Sequence, residues 1–338
     1  MNAHTDWFAD ITGFTEESYE RTQQSLLVRD NQIISKRDGH GHSFGHFSLI
    51  SLEELRQVAS GADMGPNSVR VVLGDARALH SDPENAGATF QVASQFNSLE
   101  MVGPDVSPEK GVTRYVHDRT QGPACAIAAG AGTIWRNYLV PIDGQLGQSA
   151  TRQLNALDAL EEELASTLGL PASSFWTMRN GYTMAKPEGL KAVASYLRGT
   201  GESQRDRLRR LIKVGWHRDV DVTDMPPEKR HQVSQVYCSA VPVAYNRIEP
   251  EHWEPLARLV LEAAYEATLL AALADASKGK SRRVLLTGLG GGAFGNNQAW
   301  ITDAIDFALA RAPRAGLELL MVGYREVPGH FRKYARTK

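Results

Sequence analysis

The sequence predicts an α/β domain built on a mostly parallel or mixed sheet, and three observations carry that reading. Apolar runs of strand length recur along the chain, at Val69 to Leu73, Thr89 to Asn97, Gln232 to Tyr245, Val284 to Leu286 and Leu317 to Tyr324. Segments with helical spacing lie near 150–168, 187–198, 203–214 and 251–276. Strands alternating with amphipathic helices are the pattern of a sheet linked by crossovers. The third observation is "RVLLTGLGGGAFGNNQAWITDAIDFAL", Arg283 to Leu309, where a strand empties through glycines into a helix start. Trp300, Ile301, Ala304, Ile305 and Ala308 fall on one face of that helix.

The remaining elements follow in chain order. "SLLVRDNQIIS" reads as a hairpin, and "SLEELRQVAS" as a short helix opened by Ser51, with Glu54 completing a capping box. "SVRVVLGDA" is a buried strand that ends at Gly74-Asp75. "GPACAIAAGAGTIWRNYLV" reads as a tightly packed small-residue helix running into a strand around Tyr138 to Ile142. "RGTGESQRDR" and "ADASKGKSRR" are the expected flexible connections.

Composition narrows the function classes. The 338 residues are 42% hydrophobic and 22% charged, as in ordinary globular proteins. A net charge of -2 gives no global electrostatic case for nucleic acid or an anionic membrane. The basic runs "RDRLRRLIK" and "SKGKSRR" read as solvated helix faces or loops. No stretch approaches the roughly 20 apolar residues that span a bilayer. The acidic start "MNAHTDWFADITGFTEESYE" lacks the layout of a secretion signal. Cys125 and Cys238 both sit in apolar runs, so the expectation is a cytoplasmic protein without a disulfide framework.

The glycine loop points to phosphate. Glycines let backbone N–H groups approach the oxygens, and the following helix N-terminus adds a favourable dipole. Gly290, Gly292 and Gly295 satisfy G-x-G-x-x-G, which raises an NAD-dependent dehydrogenase. That fold needs several further strands downstream, and only 43 residues follow Gly295. No Lys-Ser/Thr pair follows the glycines, so a P-loop is excluded. A plain strand-to-helix turn is the alternative, but five glycines in Gly288 to Gly295 exceed what a turn requires.

A second dense segment is "FQVASQFNSLEMVGPDVSPEKGVTRYVHDRTQGPACAIAAGAG". It carries Gln95 and Asn97 to a strand end, then Glu100, Asp105 and Glu109 in a loop, then Gly122 at a helix start. Asn can hydrogen-bond sugar hydroxyls as donor and acceptor. Clustered carboxylates can orient a sugar, stabilise an oxocarbenium ion or serve as acid and base. Gly122 offers a second place for backbone amides to meet a diphosphate. A solvated acidic loop beside a packed helix stays open as the bland reading. His40, His42 and His46 read as a polar loop without ligand spacing, and His217, Asp219 and Asp221 as a solvated strand end. Ser239 lacks the G-x-S-x-G setting of a nucleophile, and both cysteines read as core.

"VVLGDA", "ASQFNSLE", "DRTQGPACAIAAGAG" and "LTGLGGGAFGNN" occur in the order that resembles the macrodomain superfamily, which binds ADP-ribose on a mixed six-stranded sheet between helices. "SQFNSLE" replaces the usual Asn-Ala-Ala-Asn, and the chain is much longer than a minimal macrodomain. With "QVASQFN" and "DRTQGPA", these departures are similar to the divergent MavL-like arginine ADP-ribosyl hydrolases. The resemblance covers residues 68–338, with 1–67 as an N-terminal extension packed on the core and a helical insertion near 150–214.

The resemblance implies an ADP-ribosyl hydrolase whose partners are ADP-ribose and ADP-ribosylated protein; no cofactor is expected, and no residues are assigned to a metal. It places Asp75 on the adenine amino group, with a strand-end cap as the plain alternative. Asn97 falls to the distal ribose, Gln95 to the ADP-ribose ligand, and Gln121 and Gly122 to that ligand beside the helix start. Gly290, Gly291, Gly292, Ala293, Gly295 and Asn296 form the diphosphate loop, and Phe294 lies against a ribose or packs in the core. Glu100 and Asp118, with Asp105 as a third carboxylate, carry catalysis at the C1″–N bond to a guanidinium. Asp118 also reads as a helix N-cap. Two rivals keep the pocket: a reader without turnover, and a hydrolase of another ADP-ribose linkage.

Overall fold

Seven strands form the central sheet: β1 (His46–Ser51), β2 (Ser68–Leu73), β3 (Thr89–Ser94), β4 (Lys213–Asp221), β5 (Gln232–Ser239), β6 (Arg283–Leu286) and β7 (Glu318–Gly323). The computed structural model describes residues 6–59 and 63–336. The strand order is β1-β4-β5-β3-β6-β7-β2. From β5 to β2 every neighbouring pair is parallel, and β4 runs antiparallel to both β1 and β5. This is the expected α/β architecture, a mixed and mostly parallel sheet between helices.

The sheet is buried on both faces, so its central strands are apolar on both. In β5, Val236 and Cys238 enter one core while Val233 and Tyr237 enter the other. In β7, Leu319 and Met321 oppose Leu320 in the same way. The larger core is closed by α3 (Leu52–Val58), α8 (Pro187–Gly199), α10 (Pro250–Ala276) and α11 (Gln298–Arg311). On the opposite face lie α4 (Ala76–Ser81), α5 (Gln121–Ala128) and α6 (Gly130–Tyr138), and α1 (Trp7–Thr12) and α2 (Tyr19–Gln24) pack onto α6. Helices α7 (Asp158–Leu168) and α9 (Glu202–Leu211) complete the set.

Several expectations are corrected. β3 stops at Ser94, because Gln95 to Leu99 fold back into a turn with Ser98 at φ 59. β2 is an edge strand with half-exposed residues rather than a buried one, and Arg70 pairs with Glu318 on its surface. The helix near 150–168 begins only at Asp158, and α9 gives way to β4 at Lys213. "RGTGESQRDR" holds almost no loop, since α8 ends at Gly199 and α9 starts at Glu202. The strand carrying His217 lies inside the sheet, second from the edge, and His217 is fully buried rather than solvated. Residues 46–58 supply a sheet strand and a core helix, so the layer does not begin at residue 68. A hairpin, Trp176–Arg179 with Tyr182–Ala185, was not foreseen. The capping box at Ser51 and the Leu26–Arg29 to Gln32–Ser35 hairpin are present as read.

Candidate active site

The C-terminal ends of β3, β5 and β6 open into one cleft of about 320 Å³. This is where ligands sit in open α/β sheets, because strands end there and helices begin. The cleft is lined by Gln95, Glu100, Asp118, Gln121, Gly122, Gly290, Gly292, Ala293 and Phe294, so both dense segments of the sequence meet. A wider groove of about 820 Å³, holding Asp75, Trp7 and Tyr324, shares Asp118 with it. The groove is larger, but the glycine loop and Glu100 belong to the cleft.

The segment from Gln95 to Met101 is held rigidly by its own side chains and its neighbours. Gln95 Oε1 accepts the Met101 amide at 2.8 Å, and Asn97 Oδ1 accepts the Leu99 amide at 3.0 Å. The Tyr115 hydroxyl oxygen accepts the Glu100 amide at 2.9 Å, and Tyr182 donates its hydroxyl to the Met101 carbonyl at 2.7 Å. Buried Ser98 keeps a left-handed backbone that most residues avoid, which such over-determination permits. Glu100 is 3% exposed, and its Oε1 has no hydrogen-bond partner among the described residues. Burial holds its carboxyl well above the usual carboxylate range; Arg136 opposes that shift and Asp118 adds to it.

Gly122 is required by this carboxyl. A Cβ there would overlap the Ala93 carbonyl oxygen and Glu100 Oε2. Helix α5 begins at the same spot with no side-chain cap, so its first amides face the cleft unpaired by a cap. Across the cleft, the amides of Gly292, Ala293 and Phe294 donate to no acceptor among the described residues. Two sets of free amides facing one cavity suit a diphosphate.

The predicted residues divide into lining and scaffold. Asp118 is half-buried, lines the cleft and accepts the Thr120 amide at 2.9 Å; the N-cap of α5 is Thr120, not Asp118. Asp105 is exposed, ion-paired with Arg179 and outside the cleft, so the three carboxylates do not converge. Asn97 does not reach the cleft either: it is fully buried and donates to Gln153 at 2.9 Å. Gln121 lines the cleft while bridging the Ala93 amide and the Gln91 carbonyl. Asp75 caps α4 through the Arg77 and Ala78 amides and lines the wider groove. Gly291, Gly295 and Asn296 brace the loop from behind, Asn296 through the carbonyls of Val241 and Gly290. Gly290 adopts φ +73 with Ala240 against the place of a Cβ, which keeps it glycine.

Two aromatic rings were missed. Tyr182 and Tyr245 line the cleft and enclose Phe294, with centroids 5.3 and 5.7 Å from its ring. Phe294 therefore packs against rings and faces the cavity at once. Asn180-Gly181 was the available signal for Tyr182, since that dipeptide marks a tight hairpin. Nothing around Tyr245 distinguishes it from core. Among the described residues no group of three or more His, Cys, Asp or Glu could hold a metal ion.

No protein-family model matches the sequence, and no curated protein matches it. Among solved structures the chain is similar to the poly(ADP-ribose) glycohydrolase of Thermomonospora curvata, at 13% identity and TM-score 0.45, over 98% of each chain. The same enzyme bound to the inhibitor ADP-HPD matches at 14% identity and TM-score 0.42, again over 98% of each chain. The poly(ADP-ribose) glycohydrolase of Deinococcus radiodurans in complex with ADP-ribose matches at 13% identity and TM-score 0.43, over 85% of this chain and 93% of that one.

Proposed function

We propose that the protein is an ADP-ribosyl hydrolase. The observation that carries the reading is the buried, unpartnered Glu100 carboxyl opening into a cleft that presents two sets of free backbone amides. The amides take the diphosphate, and the wider groove beyond Asp118 takes the adenosine, with Asp75 and Tyr324 at its walls. A reader of ADP-ribose has no use for a carboxyl that costs free energy to bury unpaired.

The state of Glu100 bears on the bond broken. A carboxyl held well above its usual range keeps its proton to higher pH than an ordinary glutamate, which suits it to act as an acid. In the proposed step Glu100 gives that proton to a leaving oxygen as the C1″–O bond breaks, and the bonding pair stays with that oxygen. A water then bonds to C1″ and passes its proton to Asp118, which returns it to solvent while Glu100 regains one. An alkoxide leaving group needs such an acid. A protonated guanidinium departs as neutral guanidine and needs a carboxylate to hold its charge instead. With Asp105 outside the cleft, the hydroxyl linkage is the first reading, as in the polymer named for the glycohydrolases above. The arginine linkage is the second, supported by Asp118 beside Glu100.

The test is to incubate the protein with poly(ADP-ribose) and, separately, with an arginine-ADP-ribosylated protein, following free ADP-ribose by mass spectrometry beside a Glu100→Gln variant. Release from the polymer by the wild type alone supports the first reading, and release from arginine the second. Tight ADP-ribose binding without release makes the protein a reader. Neither binding nor release leaves the glycine loop a turn.

A further inference from the structure

Behind Glu100 lies a buried arginine with no acidic partner of its own. Arg136 is fully buried on α6, and among the described residues no carboxylate lies within ion-pair distance of it. Its guanidinium is held at every edge. Nε donates to the Ser98 carbonyl at 3.0 Å, one terminal nitrogen donates to Thr133 Oγ1 at 3.0 Å, and the other meets His217 Nδ1 at 2.8 Å. The Tyr237 ring lies 3.7 Å beneath it. An arginine cannot shed its charge, so His217 Nδ1 must be the acceptor, and burial together with Arg136 keeps that imidazole neutral. A buried charge with only neutral partners is costly unless it serves another charge.

We infer that Arg136 is a positioning residue for Glu100: it clamps the turn that carries the carboxyl and supplies the countercharge for the carboxylate left after proton donation. The clamp is the bond to Ser98, two residues before Glu100 and at the left-handed corner of the turn. Gln148 reinforces it by donating to the carbonyls of both Asn97 and Arg136 at 3.1 Å. The surroundings of Glu100 make a countercharge necessary once its proton is gone. The titratable groups around it are Asp118, Arg136, Tyr115, Cys125, Tyr182 and Tyr237, with Arg114 on the wall of a small cavity it shares with Glu100 and Asp118. Burial pushes the four hydroxyl and thiol groups up, so they stay neutral in the working range. Asp118 repels a carboxylate at Glu100, and Arg114 is exposed so that solvent screens its charge, which leaves Arg136 as the one buried cation among these that stabilises it.

This inference rests on the proposed function for its role in turnover but not for its test. Wild type, Arg136→Lys, Arg136→Gln and Arg136→citrulline are compared, with citrulline keeping the shape and the Nε–H donor without the charge. Carbon-13 NMR of labelled glutamates, assigned by loss of one signal in Glu100→Gln, follows the Glu100 carboxyl through pH. The neutral variants are expected to raise its titration midpoint by about one to three pH units, with lysine retaining most of the wild-type value. The alkaline limb of the rate profile should move with it, and kcat should fall at least ~10-fold at neutral pH while ADP-ribose affinity stays within ~2-fold. An unmoved Glu100 midpoint in a folded neutral variant overturns the inference, whether or not the wild type hydrolyses anything. Should Arg136→Gln fail to fold, the citrulline protein decides alone. A hydrolase failure with a shifted midpoint sinks the proposed activity and leaves the countercharge standing.

Discussion

Glu100 is the residue where stability and chemistry conflict. Its carboxyl is raised above the ordinary value of 4.5 by burial, so the folded protein holds a proton that the unfolded chain releases. Below that value both states are protonated and the group costs nothing through ionisation. As pH rises above it, the unfolded chain gains a solvated carboxylate first, and folding loses stability until the folded group also ionises. Glu100→Gln removes the penalty. Its stability relative to wild type is expected to grow from pH ~5 to pH ~8, by about 1–3 kcal/mol at the upper end, while turnover is lost. Urea unfolding at the two pH values checks this; equal differences at both would place the raised carboxyl elsewhere. Gly122→Ala tests the same contact from the other side. The added methyl meets a backbone carbonyl that cannot move cheaply, and the variant is expected to lose a few kcal/mol in the same assay.

At the scale of elements, the cleft is a strand-end turn, a helix start and a glycine loop brought together by three parallel strands. Gly292 has open space where a Cβ would stand, so Gly292→Glu should fold normally while setting a carboxylate among amides that favour an anion. Calorimetry is expected to show ADP-ribose affinity reduced at least ~100-fold, whereas Phe294→Ala, which loses one ring face, should cost ~10-fold. Unchanged affinity in both folded variants would take the diphosphate away from this loop. The loop itself was legible because its glycines are contiguous in sequence. Gly122 was legible as a lone glycine opening a small-residue helix, and Glu100 as the first carboxylate after Gln95 and Asn97. Asn97 was misread because a strand-end amide serves a turn as readily as a ligand, and only the partners at Leu99 and Gln153 decide between them. Arg136 was invisible, and His217 was misread as solvated. Their pairing spans two elements with no local periodic signature, and a buried arginine in a small-residue helix looks like a surface one until its neighbours are placed.

For the whole molecule, the alternation of apolar strands and helices was enough to predict the class of sheet but not its strand order. β4 was read only as a solvated strand end because its basic start follows a basic helix, and its polar members His217, Arg218 and Asp219 hide a strand that lies second from the edge. The finished fold joins the cleft to the core through two buried thiols. Cys125 sits on α5 three residues after Gly122, and Cys238 sits on β5 next to the residue that ends it at the cleft. Both thiols are fully or almost fully buried, and burial pushes Cys238 up to about 12 and raises Cys125 as well. Neither should react with an aromatic disulfide reagent in the native state, since the thiolate is the reacting form. Reaction must then wait for unfolding, and a ligand bound only by the native state suppresses unfolding in proportion to its saturation. ADP-ribose at about 100 times its Kd is expected to slow labelling of both cysteines about 100-fold. Equal slowing at the two sites, read by peptide mass spectrometry, means that the cleft and both cores open as one cooperative unit. Protection of Cys125 alone means that α5 opens by itself, and that the ligand is held where the helix start meets the glycine loop.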